Sequence, residues 1–382
     1  MTITVGFLVN PIAGMGGSVG LKGTDGKLYA EALKRGATPV APLRALRFLN
    51  HLYRIKFNHK LLAAGGIMGC KYLKQTLFSR YECLGHPSAS QKETCSRDTK
   101  FVVSMMLERG IDLLVFVGGD GTARDIVEVL DCDVPVLGIP SGVKMYSGIF
   151  AASPEAAAEL VTMFCEGNTT LDYADVADID ENSLQAGELR IRKYFKAITL
   201  RANGLSVQSK DFGISGSPEE KYGIAKYFIE EYLRNNVLYL LGPGSTVKAI
   251  TDLLGLPKTV LGVDALFNRS IIASDLGYRE ILDLLDSFNQ VKIVVTVIGG
   301  QGYLFGRGNQ QFTPEIIRRV GKDNIFVLAS KTKLRGLKYL LVDTGDPRLD
   351  TELSGYIRVI TGYREETIMR VVPASDPLSL IR

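Results

Sequence analysis

Four times within its first 145 residues the chain runs a short apolar stretch straight into glycine. Ile3–Val9 enters Asn10-Pro11-Ile12-Ala13-Gly14-Met15-Gly16-Gly17, and Leu61–Ala64 enters Gly65-Gly66-Ile67-Met68-Gly69. Leu113–Val117 enters Gly118-Gly119-Asp120-Gly121-Thr122, and Val134–Ile139 enters Pro140-Ser141-Gly142-Val143-Lys144. Between these junctions apolar residues recur at helical spacing, in Leu28–Lys34, Leu43–Tyr53, Phe101–Arg109 and Ala123–Leu130, with Ala156–Cys165 after the last. Short continuous apolar runs suit strands buried on both faces, and their alternation with helices predicts a doubly wound, Rossmann-like sheet of α/β class. The glycine-rich ends should then share one edge, where open α/β sheets bind ligands.

Gly118, Gly119 and Gly121 lack Cβ atoms, so backbone N–H groups there can approach an anion, and the helix that follows adds the positive end of its dipole. Asp120 stands in the middle of this cradle. A carboxylate beside a phosphate is repelled unless it holds a cation or takes a proton from a nucleophile, so the pattern points to phosphoryl transfer with Asp120 as the base. A single turn of this composition is equally explained by capping and steric need at Asp120 or Thr122. Four such turns on one edge favour the phosphate site. A nicotinamide dehydrogenase is a poorer fit, because after Gly14, Gly16 and Gly20 the chain continues through Lys22-Gly23-Thr24-Asp25-Gly26, which is poor helix material. No Walker P-loop pattern occurs.

At 382 residues the chain exceeds what one core organises. Two domains are expected: 1–150, the nucleotide-binding α/β domain, and 151–382, a β-rich α/β domain contributing to substrate binding. No apolar run approaches a membrane span and no secretory signal opens the chain, so a cytoplasmic protein with no membrane partner is expected. Five cysteines without a Cys-x-x-Cys fit reduced thiols, although Cys83 and Cys95 bracket a polar loop and could pair. With three histidines, metal sites or triads built on imidazole are not expected. Residues 22–80 carry twelve Lys or Arg against Asp25 and Glu31. A basic wall beside the cradle would draw in a polyanionic substrate. The ordinary reading of Arg44, Arg47 and Arg54 is a solvated helix face. Phe48, Tyr53 and Phe57 fall at helical spacing and read as core, which argues against a nucleic-acid partner.

The second half repeats the strand-to-glycine pattern. A helix over Glu219–Arg234 leads to Val237–Leu241 and the turn Gly242-Pro243-Gly244-Ser245-Thr246. Lys292–Ile298 then enters a turn that includes Gly299, Gly300, Gln301, Gly302, Gly306, Arg307, Gly308 and Asn309. Lys22, Arg124, Lys144 and Arg307 are the candidate side-chain cations, and Arg307 could grip phosphate or carboxylate. Asp125 is a candidate metal ligand that an acid-favouring helix start explains equally well. The acceptor is expected in a cleft between the domains, with Gly244-Ser245-Thr246 and the 299–309 turn facing Asp120.

The ordered set of Asn10-Pro11-x-Ala13-Gly14, Gly118-Gly119-Asp120-Gly121-Thr122 and Gly244-Ser245-Thr246 resembles the NAD kinase family, within the NAD kinase, diacylglycerol kinase and phosphofructokinase-like fold group. The segments 22–26, 142–145 and 299–302 look like its AcoX branch. The resemblance implies an ATP-dependent kinase using Mg²⁺ and phosphorylating a hydroxyl, that of NAD first. It implies Asp120 as general base; Asn10, Pro11, Gly14, Gly16, Gly17, Lys22, Gly118, Gly119, Gly121, Thr122 and Lys144 around the nucleotide; and Gly244, Ser245, Thr246, Gly300, Gln301, Gly302, Arg307 and Asn309 around the acceptor. Nucleotide and small-molecule substrates, and a further copy of the chain in a homo-oligomer, are the expected partners. The family's Asn-Glu pair, which orients NAD, has no counterpart here, since Glu181-Asn182 runs in the reverse order. Another hydroxyl metabolite, a lipid, or nucleotide binding without turnover therefore remain alternative readings.

Overall fold

The four apolar runs form parallel strands of one sheet. It comprises β1 (Thr4–Val9), β2 (Lys60–Ala63), β3 (Tyr81–Cys83), β4 (Leu113–Gly118) and β5 (Val136–Pro140), in the order β3-β2-β1-β4-β5. The computed structural model describes residues 3–21, 23–24, 27–85, 94–130, 133–142, 145–179, 191–202, 204–206, 216–298, 301–377 and 380. Successive side chains of a strand point to opposite faces, and here both faces are covered. Val5, Phe7, Val9, Val115 and Val117 share a core with Phe48, Leu49 and Leu52 of the helix Ala41–Arg54 and Leu160 and Val161 of the helix Pro154–Cys165. Leu8, Leu114 and Phe116 pack on the opposite side against Val102, Val103 and Met106 of the helix Ser96–Glu108 and Ala123 and Ile126 of the helix Asp120–Val127. Phe48 stacks on Phe7 with centroids 5.6 Å apart. Truncating such a buried ring to Ala typically costs about 3–5 kcal/mol. Phe57 is buried as expected, whereas Tyr53 is 48% exposed and does not join the core.

A ribbon of β6 (Thr170–Ile179) and β7 (Ile191–Arg201), paired antiparallel, packs Ala174, Val176 and Ala197 onto the same side as Leu8. The second sheet has nine strands: β8 (Leu238–Leu241), β9 (Asp264–Phe267), β10 (Ser270–Ala273), β11 (Val291–Thr296), β12 (Tyr303–Phe305), β13 (Ile325–Leu328), β14 (Leu340–Val342), β15 (Gly355–Gly362) and β16 (Glu365–Pro373). Their order is β10-β9-β8-β11-β13-β15-β16-β14-β12. Strands β8, β11 and β13 run parallel to one another, and β15 and β16 form a hairpin. Tyr303, Leu341, Val372 and Ala374 of this half complete the core that holds Val5 and Phe48. The two sheets are therefore joined by buried apolar surface.

Cys83 bonds to Cys70 rather than to Cys95, tying the edge strand β3 to the helix Cys70–Leu73, while Cys95 is a free, exposed thiol. Leu61 and Ala63 pair with Tyr81 and Cys83 in register, and this brings Cys83 beside the helix that leaves β2. Sequence separation alone does not reveal that proximity. Among the described residues, no helix is long and apolar enough to cross a membrane.

Candidate active site

From β1 the first sheet grows one way through β2 and β3, then the other way through β4 and β5. A reversal of this kind opens a crevice at the carboxyl ends of the two strands that flank it, here β1 and β4. Asn10 follows β1 and Gly118–Thr122 follow β4, so topology brings the two turns together. The Asn10 side-chain amide donates to the Thr122 hydroxyl at 2.9 Å, and its carbonyl oxygen accepts from the Ile12 N–H at 3.3 Å. The Asn10 N–H donates to the Val117 carbonyl at 2.9 Å.

The glycines permit close approach of protein to protein at this edge. A Cβ on Gly118 would lie 2.6 Å from that of Thr122, and one on Gly119 would lie 3.0 Å from the Gly142 Cα. Gly14 has φ +82°, and a Cβ there would lie 1.7 Å from the Ser141 carbonyl oxygen. The turns after β1, β4 and β5 thus pack into one another before any ligand is considered. Gly16 is buried in the same turn, where its carbonyl accepts from the Leu21 N–H at 2.9 Å, and Pro11 is half-buried. A Cβ on Gly17 would meet Gln310 of the second half at 3.1 Å.

Asp120 opens the helix Asp120–Val127 and is 5% exposed. Its Oδ2 accepts from the Tyr146 N–H at 2.7 Å, and its Oδ1 from the Ser147 N–H at 3.0 Å and the Ser147 hydroxyl at 2.7 Å. The Ser147 hydroxyl also lies 3.1 Å from both the carbonyl and the N–H of Ala177 on β6, which anchors this support to the ribbon. The carboxylate is thereby held in one orientation at the positive end of a helix. Tyr146 and Ser147 carry no motif of their own; the sequence signal was only their nearness to the glycine turn after β5. Arg124 lies over the Tyr194 ring at 5.9 Å and pairs with Asp125 at 3.8 Å.

The 301–311 segment of the second half meets this edge. The Gln301 amide donates to the Met145 carbonyl at 3.1 Å, one residue before the N–H that holds Asp120, and the Gln310 amide donates to the Gly142 carbonyl at 3.2 Å. Gly302, with φ +77°, immediately precedes β12. Asn309 shapes its own turn, donating to the Leu304 carbonyl and accepting from the Gly306 N–H. Arg307 is 4% exposed; its Nη2 donates to the carbonyls of Ala151 and Ala152 at 3.1 and 3.0 Å, and its guanidinium lies 3.9 Å from the Tyr303 centroid. Burial pulls the guanidinium below its ordinary pKa, opposed by Tyr303, Asp343 and Asp120. Asp120 is therefore close enough to bear on Arg307 electrostatically.

Arg44 and Arg47 are not a solvated face. Arg44 is 7% exposed and pairs with Asp343, which follows β14, at 2.6 Å. Arg47 pairs with Glu155 at 2.8 Å and reaches Asp343 at 3.5 Å. Burial would raise the Asp343 carboxyl, but Arg44 and Arg47 outweigh it and hold the group below the usual carboxylate range. These cations bind the halves together instead of forming a wall for the substrate, because the helix Ala41–Arg54 lies between the sheets. Arg54 is exposed, as expected of a solvated position.

Gly244 caps the helix Ser245–Leu253 after β8 with φ +118°, and Ser245 is exposed. The Thr246 hydroxyl accepts from the Lys333 ammonium at 2.9 Å, and Lys333 also donates to Thr296 at 3.0 Å. The turn is thus gathered with the ends of β11 and β13. Among the described residues, no hydrogen bond links Gly244, Ser245 or Thr246 to the Asp120 turn. Lys333 and Thr296 went unseen in the sequence because they lie 87 and about 50 residues from Thr246. Lys22, Lys144 and Gly300 lie outside the described residues.

Residues 5–169 match the family model described as the ATP-NAD kinase N-terminal domain, and residues 234–371 that described as the ATP-NAD kinase C-terminal domain. No curated protein and no solved structure matches the chain. The first match contains Asn10, Asp120 and the support at Tyr146 and Ser147; the second contains Thr246, Gln301 and Arg307, of which Gln301 bonds to the main chain beside Tyr146. With both halves matched in sequence, the chain belongs to the ATP-NAD kinase-like family.

Proposed function

We propose that this protein is a kinase that moves the terminal phosphoryl group of ATP to a hydroxyl of a small acceptor, with NAD as the first acceptor to test. The observation that carries the reading is Asp120: a buried carboxylate at the switch point of the first sheet, oriented by Tyr146 and Ser147. In the reaction the acceptor oxygen forms a bond to the terminal phosphorus as the bond to the bridging oxygen breaks. The hydroxyl proton passes to Asp120, and ADP leaves. Phosphoryl transfer asks little of a protein beyond positioning, charge neutralisation and that proton transfer.

The family implies a divalent cation. Mg²⁺ is commonly held by one or two carboxylates together with substrate phosphates, not by an all-protein cage. Asp120 and Asp125 are the acids of the helix that opens on the turn, and a set of one or two carboxylates fits that arrangement. Asp120 or Asp125 would hold such an ion beside the nucleotide. When bound, it would neutralise charge on the phosphates.

The absence of an Asn-Glu dipeptide favours a second reading, an acceptor other than NAD. Thermal-shift screening of nucleosides, dinucleotides and other hydroxyl metabolites, followed by a phosphate-transfer assay on the hits, tests both. Stoichiometric ADP with a phosphorylated acceptor is the expected result. Tight nucleotide binding without turnover on any hit would refute the kinase reading in favour of a nucleotide-binding regulator.

A further inference from the structure

A small cavity lies where the turns after β1, β5 and β12 meet, lined by Gly14, Ser141, Gly142, Gly306 and Arg307, with Arg44 and Asp343 at its side. Its volume is about 30 Å³. At roughly 10–15 Å³ for one water-sized sphere, that is room for two waters or one compact oxyanion. Ser141 is 5% and Arg307 4% exposed, yet the Ser141 hydroxyl and the Nε and Nη1 of Arg307 have no hydrogen-bond partner in the protein. Buried polar groups are paired in the great majority of cases, and an orphaned donor on a cation is especially unfavourable. Asp343 is already shared between Arg44 and Arg47, so among the described residues Arg307 has no carboxylate within ion-pairing distance of its own.

The chemistry of the missing partner can be narrowed. Water would satisfy the N–H groups but leave the charge. A planar carboxylate usually grips one edge of a guanidinium through two nitrogens, and here either such edge includes Nη2, which is taken by Ala151 and Ala152. With Nη2 occupied, an oxyanion here takes a single bond from the guanidinium, at Nε or Nη1, beside the Ser141 hydroxyl, and a tetrahedral group with oxygens on several sides suits that arrangement better than a planar one. We propose that this cavity is a phosphoryl-oxyanion site in which Arg307 and Ser141 hold one phosphate group, either that of a nucleotide substrate or inorganic phosphate. The link to a substrate rests on the kinase reading; the site itself does not.

Calorimetric titration of inorganic phosphate and of ADP into the full-length wild type, Ser141→Ala and Arg307→Gln proteins tests this. Affinity should fall about ten-fold or more in each variant, the loss expected of a hydrogen bond to a charged group. Weakening of both ligands supports a substrate phosphoryl group; weakening of phosphate alone supports free phosphate. Arg307→Gln also removes a support of Ala151 and Ala152. If it fails to fold, Ser141→Ala decides, because that hydroxyl holds nothing else in the protein. Unchanged affinity for both ligands in folded Ser141→Ala, or no binding of either ligand by the wild type, overturns the site. A wild type that binds phosphate through Ser141 but phosphorylates no acceptor refutes the kinase reading and leaves the site standing.

Discussion

Asp120→Asn separates a catalytic carboxylate from a structural one, but the change is less innocent than its isosteric shape suggests. Among the described residues three donors converge on the carboxylate: the Tyr146 N–H on one oxygen, and the Ser147 N–H and hydroxyl on the other. An amide has one acceptor oxygen. Turned towards Ser147 it keeps two contacts, but its NH₂ then faces the Tyr146 N–H across 2.7 Å, donor against donor. One charge-assisted hydrogen bond is lost and one buried N–H is orphaned, each worth about 1–3 kcal/mol, so stability should fall by roughly 2–5 kcal/mol. If Asp120 also takes the hydroxyl proton, kcat should drop about 10²–10⁴-fold, or roughly 3–5 kcal/mol of barrier. Nucleotide affinity should remain within a few-fold of wild type. Urea unfolding, calorimetric nucleotide binding and kcat, measured at one temperature below the variant's transition, resolve the three effects. Full turnover in a folded Asp120→Asn protein would reduce Asp120 to a cap. Unaltered stability would refute the role of Tyr146 and Ser147 as its clamp.

Gly14→Ala should destabilise the protein by roughly 2–4 kcal/mol, combining the cost of a left-handed alanine with a Cβ driven against the Ser141 carbonyl; a loss under 1 kcal/mol in denaturant unfolding would mean the turns do not interlock as described. Arg44→Met should cost about 3–5 kcal/mol by leaving Asp343 under-compensated, and Arg44→Met with Asp343→Asn should cost less than the two single changes together; strict additivity would show the pair to be uncoupled. Asp350 is fully buried, and burial followed by the Asp343 charge pushes its carboxyl up from 3.8 to about 6. Because the folded protein holds this proton more tightly than the unfolded chain, the stability it confers is full below about pH 4 and is lost as pH rises through 6, roughly 3 kcal/mol in all. The difference in unfolding free energy between wild type and Asp350→Asn should move by most of that amount, about 2–2.5 kcal/mol, from pH 4 to 7, and a difference independent of pH would refute it.

Gly119 illustrates how reading and structure divide. An apolar run ending in Gly-Gly-Asp-Gly-Thr is a local signal, since strand, turn and helix start are each set by residues within a few positions. It placed β4, the helix Asp120–Val127 and the edge on which Asp120 stands. The other three junctions did the same for β1, β2 and β5, and the family followed from their order. What approaches Gly119 in the fold, however, is Gly142, a neighbour supplied by a different junction.

Contacts between distant segments were decided by tertiary structure alone. Whether an arginine on an amphipathic helix is solvated depends on what covers that face, and Arg44 and Arg47 are covered by Asp343, some 300 residues away, and by Glu155. Cys83 meets Cys70 because parallel pairing of β2 and β3 sets their register. Tyr146 and Ser147 hold Asp120, and Lys333 holds Thr246, through hydrogen bonds that no spacing rule predicts. Arg307 stood out in the sequence as a cation between glycines, but only the packed fold buries it with two nitrogens unpartnered. Periodicity and turn chemistry act over a few residues and are written in the chain. Charge pairing, burial and the convergence of turns arise from which surfaces meet, and that is determined once the two sheets pack together.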